Sequence, residues 1–382
     1  DALPEEKRMI QLGANKHPVF THRGMKALRE PTERVWGNKW ANLVSGNYMA
    51  APQVMFRAMA DGDPYPVKAF FAMANNTLQS YPNMQLIHRA LENQDLIVAF
   101  EQYKSPTAQM ADYILPSDAW TERNGISDGF GWMAICRPSQ KAVNPPGECR
   151  GVFDFWRDLA HRMGFAEHFP WESNEEMLDH RVEALGMNFE EFADKHPYHM
   201  HPIKFRKYEE KGFATPSGKV ELKSSVLEEL GFDPLPYYRP EPDRNPDYPL
   251  IMFVGIREDE FFQTGGRHQT KLRARNPEPR FFISPLDATH AGVAQGDWAE
   301  CVTSNGKMKA RIEVVEDMPQ GVLRVPHGWW QPERAEGDGS LSGAWEFSDS
   351  QICPDDDEHT DREQGVTQLK GVHCRIQPVA AA

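Results

Sequence analysis

Residues 67 to 116 constrain the fold more than any other stretch. "VKAFFAMA" is apolar and β-rich, "NNTLQSYPN" is turn chemistry, and "MQLIHRALEN" sets Met84, Ile87 and Leu91 on one helical face. "DLIVAF" is a continuous apolar strand, and "EQYKSPT" leads to a further short strand, "YILP". Strand, loop, helix and strand within ~35 residues make a βαβ unit, which implies a parallel sheet. Ligands of such sheets bind beyond the carboxyl ends of the strands. Those ends carry Asn75, Asn76, Thr77, Glu101, Gln102 and Lys104. Loops are polar in any protein, so the pattern alone leaves a binding role open.

Residues 151 to 231 read as mostly helical. "DFWRDLAHRMG" ends at Gly164, "SNEEMLDHRVEALG" opens with a capping box of Ser173 and Glu176 and ends at Gly186, and "SSVLEELG" ends at Gly231. "DPLPYYRPEPDRNPDYP" then packs prolines and charges together, as a linker does. Beyond it the strands are short. "DWAECVTS" alternates, Asn305-Gly306 turns the chain, and "KMKARIEVV" returns. Asn-Gly predicts a type I′ hairpin turn with positive φ at both residues. With "GVLRVP" and "GVHCRIQ", these strands predict a small barrel. The expected organisation is an α/β domain with a helical segment over residues 1–233, a linker over 234–249 and a barrel over 250–382.

At 382 residues and 40% hydrophobic content, the chain can bury two or three cores. No run approaches the ~18 apolar residues of a membrane span. A formal charge of −14 argues against nonspecific nucleic-acid binding. The five cysteines form no C-x-x-C pair and read as isolated thiols, which fit a reducing cytoplasm better than an oxidising compartment. The opening "DALPEEKRMIQLG" reads as the middle of a longer protein. His327, beside Trp329 and Trp330, reads as a packed or hydrogen-bonded histidine rather than a catalyst, and the acidic "DDDEHTD" as a solvated turn rather than a metal site. Walker A, G-x-G-x-x-G and H-E-x-x-H are all absent from the sequence. No catalytic residue and no metal ligand is assigned.

One segment asks for more. "PLIMFVGIREDEFFQTGGRHQTKLR" runs from an apolar strand into glycines, amides and cations. It is either an ordinary surface loop or the wall of a large, polar, anionic ligand.

Three longer stretches carry a resemblance. "PTAQMADYILPSDAWTERNG" is similar to the T-A-x-x-A-D-x-x-L-P…E-x-x-G signature of molybdopterin oxidoreductases in the dimethyl-sulfoxide-reductase superfamily. "GFATPSGKVELKSSVLEELGFDPLPYY" resembles the segment before that family's last domain, and "LRARNPEPRFFISPLDATHAGVAQGDWAECVTSNGKMKARIEVVEDMPQGVLRVPHGWW" its dinucleotide-binding barrel. "HGWW" points to the branch with acetylene hydratase, transhydroxylase and thiosulfate- or polysulfide-reductase-like enzymes.

The resemblance implies a Rossmann-like parallel-sheet domain with a helical insertion, followed by a six-stranded double-psi β-barrel. It implies two molybdopterin guanine dinucleotides, molybdenum or tungsten, and two-electron redox or oxygen-atom transfer, with hydration, transhydroxylation or a noncatalytic binding module as alternatives. A [4Fe–4S] cluster and the metal-ligating residue would lie in an N-terminal half outside this chain. That half is the implied partner, with an iron–sulfur electron-transfer subunit as a second, and the chain alone is expected to be inactive. In the loop, the implied cofactor residues are Gly255, Gln263, Thr264, Gly265, Arg267 and Arg273. Further on they are Gln351, where the family carries an asparagine, and Lys370. Near the sheet they are Asn75, Asn76, Glu101 and Asp112, the last of which reads equally as a cap. Relatives often carry histidine-serine where this chain has Gln263-Thr264, and an amide can still bond a pterin edge. Arg267, as a loop residue, is expected to matter to the ligand more than to the core.

Overall fold

The structure is a computed structural model that describes residues 4–37, 49–127, 135–200, 205–238, 245–255, 258–334 and 337–379. The βαβ unit is present. Strands β1 (Ala69–Met73), β2 (Leu96–Glu101) and β3 (Tyr113–Pro116) form one sheet in the order β1-β2-β3, with β2 and β3 parallel. The helix Met84–Glu92 buries Met84, Ile87 and Leu91, the three residues set on one face by the periodicity. Asn83 starts it at φ 59°, and its side chain accepts the Leu86 N–H at 3.1 Å. Asparagine suits that position because it tolerates left-handed backbone and satisfies an open helix donor.

The helical region contains β4 (Gly125–Ser127), β5 (Ile135–Ser139), the helices Val152–Arg162, Asn174–Val182 and Phe189–Lys195, and β6 (His199–Met200). Leu178, Val182, Phe189 and Phe192 form its core. Ser173 does accept the Glu176 N–H, but the Glu176 carboxylate bonds the Glu172 N–H instead of returning to Ser173. The reciprocal capping box lies one helix later, between Asn188 and Glu191.

The C-terminal strands close into a barrel. They are β7 (Leu250–Val254), β8 (Arg280–Ile283), β9 (Trp298–Val302), β10 (Lys307–Val314), β11 (Val322–Val325) and β12 (Lys370–Pro378), in the cyclic order β10-β8-β11-β7-β12-β9. The pairs β7–β11 and β8–β10 are parallel. Alternate residues fill the interior, among them Met252, Val254, Phe281, Ile283, Met308, Ile312, Leu323 and Val325. Each such side chain contributes roughly 1.5–3 kcal/mol on burial, and closure leaves no strand edge open.

Two expectations change in the barrel. The β9–β10 hairpin forms, but neither Asn305 nor Gly306 is among the positive-φ residues. Gly306 is required for a different reason, since a Cβ there would lie 2.6 Å from the Gln351 carbonyl oxygen. Asn305 Nδ2 donates to that same oxygen at 2.7 Å, so the tip is shaped by docking rather than by turn type. The barrel cysteines are not isolated thiols. Cys301, Cys353 and Cys374 are all free and buried; Cys301 and Cys374 hydrogen-bond to each other, and burial pushes the Cys301 thiol well up.

The chain packs as two compact units, Asp1–Ile97 with Lys104–Asp112 and Tyr208–Ala382, and Val98–Tyr103 with Tyr113–Lys207. This division does not fall at 234–249, and residues 239–244 of that stretch lie outside the described residues. One reason is that the segment after β1 is wired to the barrel side of its own unit, as when Gln79 Nε2 donates to the Trp329 carbonyl at 2.7 Å.

Candidate functional site: one rim of the barrel

Strand register assembles the site. Val325 at the end of β11 lies beside Val254 at the end of β7, and Lys370 at the start of β12 lies beside Phe253. Gly255, the loop from Glu258 to Arg273, His327 and Lys370 therefore share one end of the barrel. A glycine makes the closest approach there. A Cβ on Gly328 would lie 2.5 Å from Thr264 Cγ2, so "HGWW" can press on the loop only with glycine at that position.

Arg267 organises this loop from inside. Its side chain is 1% exposed. One Nη donates to the Gln263 carbonyl and, at 3.3 Å, to that of Gly265; the other donates to the His327 carbonyl at 2.6 Å and meets Glu258 Oε2 at 3.4 Å. The guanidinium lies over the rings of Phe261 (4.7 Å) and Trp329 (5.1 Å). Burial draws its pKa down to about 10, against the pull of Glu258 and Asp349, and the group stays charged. Glu258 also accepts from Trp329 Nε1 at 3.1 Å and Asn276 Nδ2 at 2.8 Å. Arg267 thus belongs to a buried polar core of the loop, contrary to the expectation that it contributes little to packing. Side-chain donors converging on backbone carbonyls can hold a loop that lacks a strand ladder.

The other loop residues are arranged around it. Gln263 is exposed at φ 52°, and Gly265 is exposed beside it. The Thr264 carbonyl accepts Trp330 Nε1 at 2.9 Å. Arg273 lies over Trp329 at 4.9 Å and reaches Glu333 at 2.9 Å. Gly255 is exposed at φ 79°, with open space around a would-be Cβ. Gln351 is buried and donates to the Ala344 carbonyl at 3.1 Å, while Lys370 is exposed on the rim.

The sheet-end candidates divide. Asn76 is buried in a network: its Oδ1 accepts from Thr107 N (3.2 Å) and Thr107 Oγ1 (2.7 Å), and its Nδ2 donates to Gln79 Oε1 at 2.7 Å. Asn75 beside it is half-buried. Asp112 caps the sheet, accepting the Ile97 N–H at 2.7 Å. Glu101 ends β2 in the other unit and is half-buried, and its carbonyl accepts the Ser117 N–H at 3.2 Å.

Four buried atoms show whether these residues suit a polar ligand. Arg267 Nε and Arg273 Nη1 in the loop, and Asn75 Oδ1 and Thr77 Oγ1 beyond β1, have no hydrogen-bond partner. Leaving such a group unpaired costs about 1–3 kcal/mol. Unpaired donors and acceptors at these two places fit a ligand that is polar along its length and anionic at the barrel. A pterin dinucleotide has that chemistry.

The sequence matches the molybdopterin oxidoreductase family over residues 22–162 and the molydopterin dinucleotide binding domain over residues 251–353. This chain belongs to the molybdopterin oxidoreductase family of the dimethyl-sulfoxide-reductase superfamily. Acetylene hydratase of Syntrophotalea acetylenica is 42% identical over 379 residues, which is 97% of this chain and 52% of that protein. The solved structure of acetylene hydratase from Pelobacter acetylenicus superposes with a TM-score of 0.94 at 42% identity, covering 99% of this chain and 53% of that one. The molybdopterin-containing subunit of thiosulfate reductase from Salmonella typhimurium is 26% identical over 306 residues, 69% of this chain and 39% of that protein. The chain spans about half the length of the acetylene hydratase relatives it matches. Its dinucleotide-binding domain calls for a molybdopterin cofactor with molybdenum or tungsten.

Sequence reasoning missed Glu258 and Asp349, which hold the rim together. Glu258 sits in "REDEFF", which looks like a charged surface turn, and Asp349 lies two residues from Gln351, where attention fell. The "HGWW" element was a usable signal, because buried indoles need acceptors for their N–H groups.

Proposed function

We propose that this chain forms cofactor walls of a molybdenum or tungsten enzyme that holds two molybdopterin guanine dinucleotides and adds water to an unsaturated small molecule of the acetylene type. The buried, unpaired Arg267 Nε and Arg273 Nη1 carry the cofactor half of this reading, since both are donors inside the barrel-rim loop. The 42% identity to acetylene hydratase over 97% of the chain supports the hydration half. A second reading, two-electron redox or oxygen-atom transfer, draws on the more distant thiosulfate reductase relative.

When bound, the metal–pterin group supplies a Lewis-acid and redox centre. The residues of this chain hold and orient it. Arg267 fixes the loop backbone, the exposed Gln263 and Gly265 offer an amide and open backbone, and Arg273 offers an Nη donor. The residues after β1 offer neutral amide and hydroxyl groups, which suit the edge of a base. Metal ligation and any iron–sulfur cluster belong, in this reading, to the part of the enzyme beyond this chain, and an iron–sulfur partner subunit belongs only to the redox alternative. Cysteines that form no disulfide keep a reducing compartment as part of the reading.

The test uses the intact enzyme, purified without oxygen and supplied with acetylene in water. Hydration transfers no net electrons, so aldehyde should accumulate with no electron donor or acceptor present. Turnover that requires an added donor or acceptor, with no hydration product, would replace this reading with the redox one.

A further inference from the structure

Arg267 turns its Nη groups inward, and beside Arg273 and Lys370 the rim carries one further group placed to face an anionic ligand, His327. It follows β11 and lies against the loop, with its carbonyl accepting from Arg267 at 2.6 Å. Its Nδ1 is 2.7 Å from Asp349 Oδ2, and the other oxygen of that carboxylate accepts the Gly328 N–H at 2.6 Å. Asp349 is itself only 2% exposed. A carboxylate fixed by a backbone donor holds the imidazole in one orientation and favours Nδ1–H. The His327 side chain is 17% exposed, and Nδ1–Asp349 is its one side-chain hydrogen bond among the described residues. Nε2 is left for a ligand. The charged groups facing the ring are Asp349, Arg267 and Glu258; Asp349 in direct contact raises its pKa most, Glu258 adds to this, and burial and Arg267 oppose.

We propose that the His327–Asp349 pair is a binding element for the cofactor, in which Asp349 orients the imidazole and Nε2–H donates to an anionic acceptor of the bound dinucleotide. The proposal rests on the cofactor reading above. The acceptor is a phosphate oxygen or an ionised edge of the pterin, and both prefer the imidazolium. A histidine here supplies the titratable cation that Gln263 cannot, because an amide does not ionise.

The experiment measures cofactor retention by the intact enzyme. Protein is passed through gel filtration at a series of pH values from about 6 to about 9, spanning the ordinary histidine pKa and the region above it. Retained pterin is read by fluorescence after oxidation, and released guanine nucleotide by chromatography. The wild type should lose cofactor faster as pH rises through the His327 pKa, by on the order of tenfold, the worth of one charge-assisted bond. His327→Gln keeps a donor but cannot titrate, so its loss should be rapid and flat with pH. Asp349→Asn keeps an acceptor for Gly328 N–H and should move the step to lower pH; it reads the same step if His327→Gln does not fold. Added inorganic pyrophosphate that speeds loss only below the step marks a phosphate as the acceptor. A step unaffected by pyrophosphate marks the pterin edge. Retention that is flat with pH in the wild type, or a step that survives in His327→Gln, overturns the proposal while leaving the cofactor reading intact. A wild-type enzyme with no dinucleotide at all overturns both.

Discussion

The barrel-rim loop and the loop after β1 both look like surface punctuation in the sequence, yet they are built on opposite principles. The rim loop has charge at its centre: Arg267 and Glu258 are nearly buried and meet at 3.4 Å. The β1 loop is neutral at its centre, with Asn76, Thr107 and Gln79 joined through amides and a hydroxyl. Their unpaired atoms differ in the same way. The rim leaves arginine donors, and the β1 loop leaves an amide oxygen and a hydroxyl. One is chemically suited to phosphate and ionised pterin, the other to the edge of a neutral base. On the proposed reading, this difference lets the chain hold a long ligand of uneven polarity without placing net charge along its whole length.

The largest test of this contrast is Arg267→Ala. Removing it strands Glu258 and frees three backbone carbonyls, so stability should fall by roughly 3–5 kcal/mol, the usual cost of breaking a buried pair from one side. Arg273→Ala should cost less than about 1 kcal/mol, since its partner Glu333 is 60% exposed, while still lowering cofactor retention. Chemical denaturation of the two variants decides this; equal losses would erase the distinction between a residue that builds the loop and one that meets the ligand.

Next comes the same division in the β1 loop. Asn76→Ala should cost about 1–3 kcal/mol because it takes the acceptor from the Thr107 N–H and hydroxyl and the donor from Gln79 Oε1. Asn75→Ala should leave the melting temperature nearly unchanged and weaken binding of the guanine end. A larger melting loss for Asn75 than for Asn76 would reverse the assignment.

The architecture was largely legible in the sequence because apolar periodicity is a local signal. Met84, Ile87 and Leu91 marked their helix face, and the alternation in "DWAECVTS" with the other short strands marked the barrel. Capping was half legible: Ser173 does cap, but whether a glutamate reaches back depends on its rotamer. The site was less legible for a physical reason. Arg267 reads as a loop cation, and its burial depends on Phe261, Trp329 and the His327 carbonyl, one of them six positions away and the others about sixty. Gly306 was recognised as special, but the Gln351 carbonyl that excludes a side chain there comes from a distant segment. Asn-Gly also forecast a turn type that docking overrode.

A smaller effect separates the two regions by pH. The His327 pKa is raised, chiefly by Asp349. The stability from this pair is therefore fully present below the unfolded histidine value of about 6.5 and is lost as pH rises through the higher folded value. Thermal unfolding from below that value to above it should show this decline in the wild type and a weaker one in Asp349→Asn, with Asn76→Ala showing the wild-type slope. An unchanged slope in Asp349→Asn would remove His327 from the account.

The smallest expected change is at Gln263, whose side chain is exposed. Gln263→His should alter stability by less than about 0.5 kcal/mol, as surface substitutions usually do. The loaded enzyme should retain metal and pterin and gain no new ionisation in its rate profile. A new pH-dependent limb with a many-fold rate gain would show that glutamine changed the chemistry here instead of orienting the ligand.

The most direct measurement is the guanine nucleotide released per metal ion on acid hydrolysis of the intact enzyme, compared between wild type and Arg273→Ala. The account predicts two nucleotides per molybdenum or tungsten in the wild type, and a clear deficit in a variant that remains as stable as its parent. Metal present without guanine nucleotide, or full nucleotide content in Arg273→Ala, would contradict the barrel rim as the wall that holds the cofactor.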